Sequence, residues 1–132
     1  MFRLGVKEHF MIAHSFEGEI FGPAQNVHGA TYVVSAEFIR GEMDEHNLIV
    51  DIGAATELLR AILAPLNYQN LDEVEMFSDQ NTTTEFLAKH IFDQLVEQVR
   101  GGALGPNNAG LTGISVRLDE SHVAWATYEG TL

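Results

Sequence analysis

The residues best suited to chemistry lie in Ala13-His14-Ser15-Phe16-Glu17-Gly18 and in Val27-His28-Gly29-Ala30-Thr31-Tyr32. Each stretch sets a histidine at one end of a segment that reads as extended, so two paired strands would present both imidazoles to one face. Imidazole nitrogens suit borderline divalent metals, and a catalytic zinc site takes three protein ligands and keeps one position open. His14 and His28 supply two; a third would have to come from Glu17 or Glu19 in the loop between them. The chain contains no cysteine, which removes disulfides, thiolate metal sites and a cysteine nucleophile together. His9, His46, His90 and His122 read as surface or packing residues.

The elements that must position these histidines follow from periodicity. Residues 2–14 place Phe2, Leu4, Val6, Phe10 and Ile12 at a period of two, a strand with one buried face. Residues 28–40 do the same, with Tyr32, Val34, Ala36 and Phe38 on one face and Thr31, Ser35 and Glu37 on the other. The two pair as a long hairpin across residues 17–26, a loop by its Gly18, Gly22, Pro23 and Asn26. After a polar turn at 41–47, Asp51 caps a helix with Leu58, Leu59, Ile62, Leu63 and Leu66 on one face, ended or bent at Pro65. Residues 67–81 form a long polar connection. Thr82 with Glu85 reads as a capping box opening a second helix. Leu87, Ile91, Leu95 and Val99 step along that helix to Gly101-Gly102. Beyond a loop at 105–110, residues 112–128 alternate again, Ile114, Val116 and Leu118 opposite Ser115, Arg117 and Asp119, with a tight turn near Glu120-Ser121-His122. The order ββααββ predicts an α+β fold: a four-stranded antiparallel sheet with two helices on one face.

The bulk composition narrows the partners. A chain of 132 residues, 45% of them hydrophobic, is expected to be a single domain over residues 1–132 with a substantial core. No segment is long and apolar enough to span a bilayer, and the N-terminal residues lack the apolar run of a signal peptide, so a cytoplasmic protein is expected. Nineteen acidic against seven basic side chains give a formal charge of −12, which repels nucleic acid and anionic membrane surfaces.

The order of elements and the motifs together resemble the 6-pyruvoyltetrahydropterin synthase and 6-carboxytetrahydropterin synthase family over nearly the whole chain. The resemblance rests on Ala13-His14, on His28-Gly29-Ala30-Thr31-Tyr32, on Asp51-Ile52-Gly53 and on Leu66-Asn67-Tyr68-Gln69-Asn70-Leu71-Asp72. It extends through Thr83-Thr84-Glu85 to Glu120 followed by Trp125-Ala126. It implies the tunnelling fold, in which three subunits close a β-barrel and two such trimers stack into a hexamer with active sites between subunits. Barrel closure would also remove the two exposed edges of a single sheet.

The departures from the family pattern are as informative. The family's zinc is held by a histidine matching His14 and two from a His-Gly-His-Asn-Tyr-like run; here the third ligand position is Ala30. The catalytic cysteine would fall at about Gly22 or Ala24, and none is present. The catalytic Asp-His pair would fall at Asn67-Tyr68, where Asn67 cannot ionise and a phenol is a poor general base at neutral pH. The resemblance therefore leads to an expectation of no zinc and no ordinary synthase activity.

What it retains is a pocket for a heterocycle. A pterin presents a ring N–H beside an exocyclic amino group, and a carboxylate matching the family's anchor, Glu120, accepts both. Thr83 and Thr84 match residues lining the same pocket, and Tyr68, His14 and His28 complete the expected ligand-binding set. The expected partner is thus a pterin-like small molecule. Two alternatives stand beside it: a metal-free lyase using Tyr68, His14 or His28 as acid or base, and a purely structural hexamer.

Overall fold

A computed structural model describes residues 1–132, apart from the side chains of residues 106–108. The first two strands are β1 (Phe2–His14) and β2 (His28–Arg40), joined by an unbroken antiparallel register from Phe2 opposite Arg40 to His14 opposite His28. Alternation drives them. Val6, Phe10 and Ile12 from β1 and Tyr32, Val34, Ala36 and Phe38 from β2 are buried on one face.

Helix α1 (Ile52–Leu63) begins where the Asp51 carboxylate accepts the Ala54 N–H at 3.0 Å, and it stops ahead of Pro65, as its sequence predicts. Helix α2 (Thr84–Arg100) buries Leu87, Ile91, Leu95 and Val99 along one stripe and closes on Gly101, whose N–H donates to Glu97. The last two strands are β4 (Leu111–Ser121) and β5 (Ala124–Thr131). α1, α2 and the inward faces of β1, β2 and β4 share one apolar cluster. Helix α2 reaches over β5 as well, where Phe92 meets Tyr128 edge-on at 4.8 Å. Gly130 permits that approach, because a Cβ there would stand 2.6 Å from the Phe92 ring. The opposite sheet face is polar: Arg3 pairs with Glu129 at 2.7 Å, and Arg117 pairs with Asp119 while lying 4.1 Å over the Trp125 ring. Among the described residues, no helix is long and apolar enough to cross a membrane.

The observed sheet has five strands in the order β3-β1-β2-β4-β5, one more than its periodicity predicts. The addition, β3 (Gln69–Asn70), is two residues long and runs parallel to the end of β1. So short a strand has no alternation to read. Backbone bonding sets it: Tyr68 N–H donates to the Met11 carbonyl at 2.6 Å, and Asn67 Oδ1 accepts from Met11 N–H at 3.0 Å.

Four further expectations are corrected. The loop at 17–26 contains 3-10 turns over Glu19–Gln25, broken at Gly22, whose φ of 53° with ψ of −126° suits a residue without a Cβ. The loop at 105–110 is a 3-10 turn over Gly105–Gly110. Strand β4 runs on to Ser121, so Glu120 belongs to a strand and the turn falls at His122 and Val123. Finally, Thr83 caps α2, its hydroxyl oxygen accepting the Phe86 N–H at 3.2 Å. Thr82 therefore forms no capping box, and Glu85 instead places a negative charge in the first turn, where the helix dipole favours it.

Candidate functional site

The full-length register of the β1–β2 hairpin ends on the His14–His28 pair, so strand pairing alone brings the two imidazoles together. Their ring centroids lie 4.6 Å apart at 60°. Phe16 packs on His14 at 4.5 Å and Phe21 packs on Phe16 at 4.8 Å, so the 3-10 turns after β1 wall the pair with aromatic rings. His14 is buried, 2% exposed, and its Nδ1 is hydrogen-bonded to the hydroxyl of equally buried Thr82 at 3.0 Å. Burial pushes the His14 imidazole down to about 4, and neighbouring His28 adds to the depression. The Asp72 carboxylate and the Thr82 backbone act in the other direction without offsetting it. His14 is therefore a neutral imidazole at physiological pH.

Asp72 ties the end of β1 to the connection after β3, accepting from Ser15 N–H at 3.1 Å and from the Ser15 hydroxyl at 2.6 Å. Asn81 holds the next turn, accepting from Glu17 N–H at 2.8 Å and donating to the Glu17 carbonyl at 3.0 Å. A cavity of about 330 Å³ opens between these segments, lined by Ser15, Glu17, Asp72, Phe77, Asp79 and Asn81. Its lining includes Ser15 and Asn81, the chain neighbours of His14 and Thr82, but neither histidine.

The donor set does not fit a three-ligand zinc site. Ala30, in the position of the third histidine, offers a methyl group on the same face of β2 as His28. Neither Glu17 nor Glu19 completes the pair, since the described residues contain no group of three His, Cys, Asp or Glu placed to hold a metal ion.

The second half of the site forms where α2 begins beside the end of β4. Thr83 and Thr84 are half-buried there, on the two residues that follow Thr82. Tyr32, one residue before the Val33–Asp119 pair, lies level with Glu120 on β4. The ring is 1% exposed and stacks on Phe10 at 5.3 Å. Burial pushes the Tyr32 phenol up to about 12; a hydrogen bond with the Thr84 side chain opposes the shift, and the charges of Glu120 and Glu85 reinforce it. Glu120 is the extra residue of a β-bulge: Asp119 pairs with Trp125 and Ser121 with Ala124, which leaves Glu120 without an opposite number. Bulges re-aim a side chain relative to the strand. Glu120 is exposed and, among the described residues, takes part in no hydrogen bond or ion pair.

Of the six residues expected to bind a ligand, five form a continuous set within the one chain. His28 touches His14, His14 bonds to Thr82, and Thr83 and Thr84 lead to Tyr32 and Glu120. Tyr68 does not join them. It is 78% exposed beside β3, three strand spacings from β4, roughly 14 Å across the sheet. Its φ of 61° is uncommon for a bulky side chain.

Two further residues belong to this region, Thr82 and Tyr32. A capping box claims Thr82 by pattern, and the triple threonine at 82–84 is the signal that one hydroxyl is spare. Alternation places Tyr32 in the core; its phenolic oxygen, on a face otherwise built from hydrocarbon, is the corresponding signal.

Comparison with known proteins bears on the family and the fold. A family model described as 6-pyruvoyl tetrahydropterin synthase matches residues 3–131. A curated 6-pyruvoyl tetrahydrobiopterin synthase from Drosophila melanogaster is 31% identical over 86 residues, 62% of this chain and 51% of the relative, so the match spans about half of that protein's length. The structure of Caenorhabditis elegans 6-pyruvoyl tetrahydropterin synthase superposes with a TM-score of 0.80 at 24% identity, covering 98% of this chain and 95% of the other. The Plasmodium vivax enzyme gives a TM-score of 0.80 at 18% identity and 98% coverage of both chains. At these identities the structural likeness shows the fold.

Proposed function

This chain belongs to the 6-pyruvoyl tetrahydropterin synthase family, and from that premise we propose that it binds a pterin-like, 2-amino-4-oxo heterocycle without stoichiometric zinc and without ordinary synthase activity. One observation carries the reading. Glu120 is an exposed carboxylate, set on a bulge and not spent on any hydrogen bond or ion pair among the described residues, beside the hydroxyl-bearing start of α2. A carboxylate so presented suits two adjacent N–H donors, and charge-assisted pairs of this kind are the strong ones. The Thr83 oxygen is already used by Phe86 N–H, so Thr83 has its O–H to offer, as donor, to a ring carbonyl.

The zinc proposal rests on the donor set: two imidazoles, and a methyl group at Ala30 where a third nitrogen belongs. A homo-oligomer, in the family's hexameric form, is part of the same reading. Among the described residues the edge strand β5 pairs only with β4, and the free edge of β1 pairs only at Ile12 and Ala13. Such edges favour closure onto further copies.

A second reading, a metal-free lyase on a similar heterocycle, is favoured by one observation. His14, an imidazole held neutral by burial, lies against a second imidazole, as a base in a dry site would.

Thermal unfolding against pterin and guanine derivatives, with and without zinc, tests the proposal. A ligand at a hundred times its dissociation constant stabilises the native state by about 2.7 kcal/mol. Stabilisation that needs no zinc is expected. A shift seen only with zinc overturns the metal-free reading, and no shift with any compound overturns the heterocycle.

A further inference from the structure

Nothing in the backbone of β1 calls for a glycine at Gly5. The register with β2 is unbroken there and the φ of Gly5 is not positive, so it serves neither a bulge nor a turn. A Cβ in its place would meet only Glu37 Cγ at 3.5 Å and the Ala36 carbonyl oxygen at 3.8 Å, both ordinary contacts. Glycine inside a strand weakens it, and often marks a place where a ligand or another backbone comes close. A cavity of about 520 Å³ opens over Gly5 on the polar face of the sheet, lined also by Lys7, Ser35, Glu37, Arg117 and Asp119.

The basic side chains of that lining belong to one row. Lys7 is opposite Ser35 and Ser35 opposite Arg117, so the three cross adjacent strands over roughly 10 Å. The chain sets only seven Lys and Arg against nineteen acidic residues, yet three of the seven, Arg3, Lys7 and Arg117, stand on this face. Arg3 is engaged by Glu129 at 2.7 Å. Lys7 is not engaged: among the described residues its ammonium joins no hydrogen bond or ion pair, and the Ser35 hydroxyl joins no hydrogen bond. Arg117 is engaged on one edge. Its Nε and one Nη donate to the same Asp119 oxygen at 3.2 and 3.0 Å, and the guanidinium lies 4.1 Å over the Trp125 ring. Its other Nη donates to nothing among the described residues, so two N–H groups are held ready on an oriented plane. The two carboxylates of the lining already face cations, Asp119 on Arg117 and Glu37 at 3.9 Å from Arg3.

We propose that Lys7, Ser35 and Arg117 form an anion site that takes a small oxyanion, a phosphate or a carboxylate, in the hollow above Gly5. The guanidinium supplies a planar fork, the ammonium a point charge and the hydroxyl a donor between them. Arg117 is oriented before the anion arrives, so less order is lost on binding. The site lies across the sheet from the buried histidine pair and does not rest on the heterocycle reading.

The test is a titration of the full chain with inorganic phosphate and with citrate, at constant ionic strength made up with chloride, followed by the amide NMR signals of Lys7 and Ser35. A saturating shift with at least one of the two anions is expected, and the one that saturates identifies the source. Saturation with neither, or a shift that chloride alone reproduces, overturns the site. Lys7→Gln is expected to weaken binding roughly tenfold, the usual cost of losing a charged hydrogen-bonding partner. Unchanged affinity in that variant overturns the assignment. Gly5→Val, a residue suited to strands, fills the hollow and is expected to abolish the shift. Intact binding there overturns the place of the hollow, and if Gly5→Val does not fold, Lys7→Gln at its exposed position still decides. Glu37→Gln removes a neighbouring negative charge and is expected to bind at least as tightly. Weaker binding in Glu37→Gln would make that carboxylate a ligand contact and overturn the anion.

Discussion

The histidine end and the glutamate end of the site are built on opposite plans. At the first, His14 and Thr82 are buried, both Nδ1 atoms are taken up by the protein, and aromatic rings close the rest. At the second, Glu120 stands exposed on a bulge with its oxygens unspent, and only the Tyr32 phenol beneath it is buried. A polar group that is buried and hydrogen-bonded belongs to the fold, because removing one partner strands the other at a cost of about 1–3 kcal/mol. A polar group left exposed adds little to folding and remains available to a ligand or a neighbouring copy. One end of the candidate site is therefore tied into the fold, and the other stands exposed at its surface.

Three experiments break or sharpen that contrast. The largest effect is expected beneath the buried part: Phe10→Ala removes the ring stacked under Tyr32 and should lower the unfolding free energy by about 3–5 kcal/mol in chemical denaturation. A loss below about 1 kcal/mol would mean that this end of the sheet is not packed as described. Next, Glu120→Ala should weaken a bound pterin about a hundredfold, about 2.7 kcal/mol, while unfolding stays within about 0.5 kcal/mol of the native protein. Unchanged affinity in titration calorimetry would remove Glu120 from the site; a large loss of stability would make it structural.

The third effect is the pH dependence of stability. The His14 imidazole titrates at about 4 in the fold against an ordinary 6.5, so the unfolded chain binds the proton first as pH falls. Its contribution is complete above pH 6.5 and is lost progressively down to pH 4, on the order of 2 kcal/mol. His14→Asn, which can keep a contact with Thr82 but cannot titrate, should flatten that part of the stability curve. An equally steep curve in the variant would assign the acid sensitivity elsewhere.

Much of the fold was legible. Alternation over residues 2–14 and 28–40 gave both long strands with their bounds, and it predicted the pairing that joins His14 to His28. Asp51, Pro65 and the four-residue steps from Leu87 to Val99 marked both helices, since caps and apolar stripes are local properties of the chain. The site was legible in its residue types and only partly in its geometry. Glu120 read as a turn residue because the bulge that lengthens β4 depends on the partner strand. Thr82 read as a cap because three adjacent threonines are equivalent until the backbone turns one of them inward. The two-residue β3, which sets Tyr68 apart from the other expected ligands, has no periodicity of its own.

The sequence by itself determined the α+β order of elements, the strand pairing that meets at the two histidines, and the lack of any thiolate, which follows from having no cysteine. Only the tertiary structure decided that Thr82 belongs to His14, that Glu120 is left unspent, and that Tyr68 stands apart. The physical reason is the range of the interactions. Periodicity and capping act within a few residues, whereas the contact of His14 with Thr82, and the level of Tyr32 with Glu120, join positions that are distant along the chain and adjacent only once the sheet and α2 have packed.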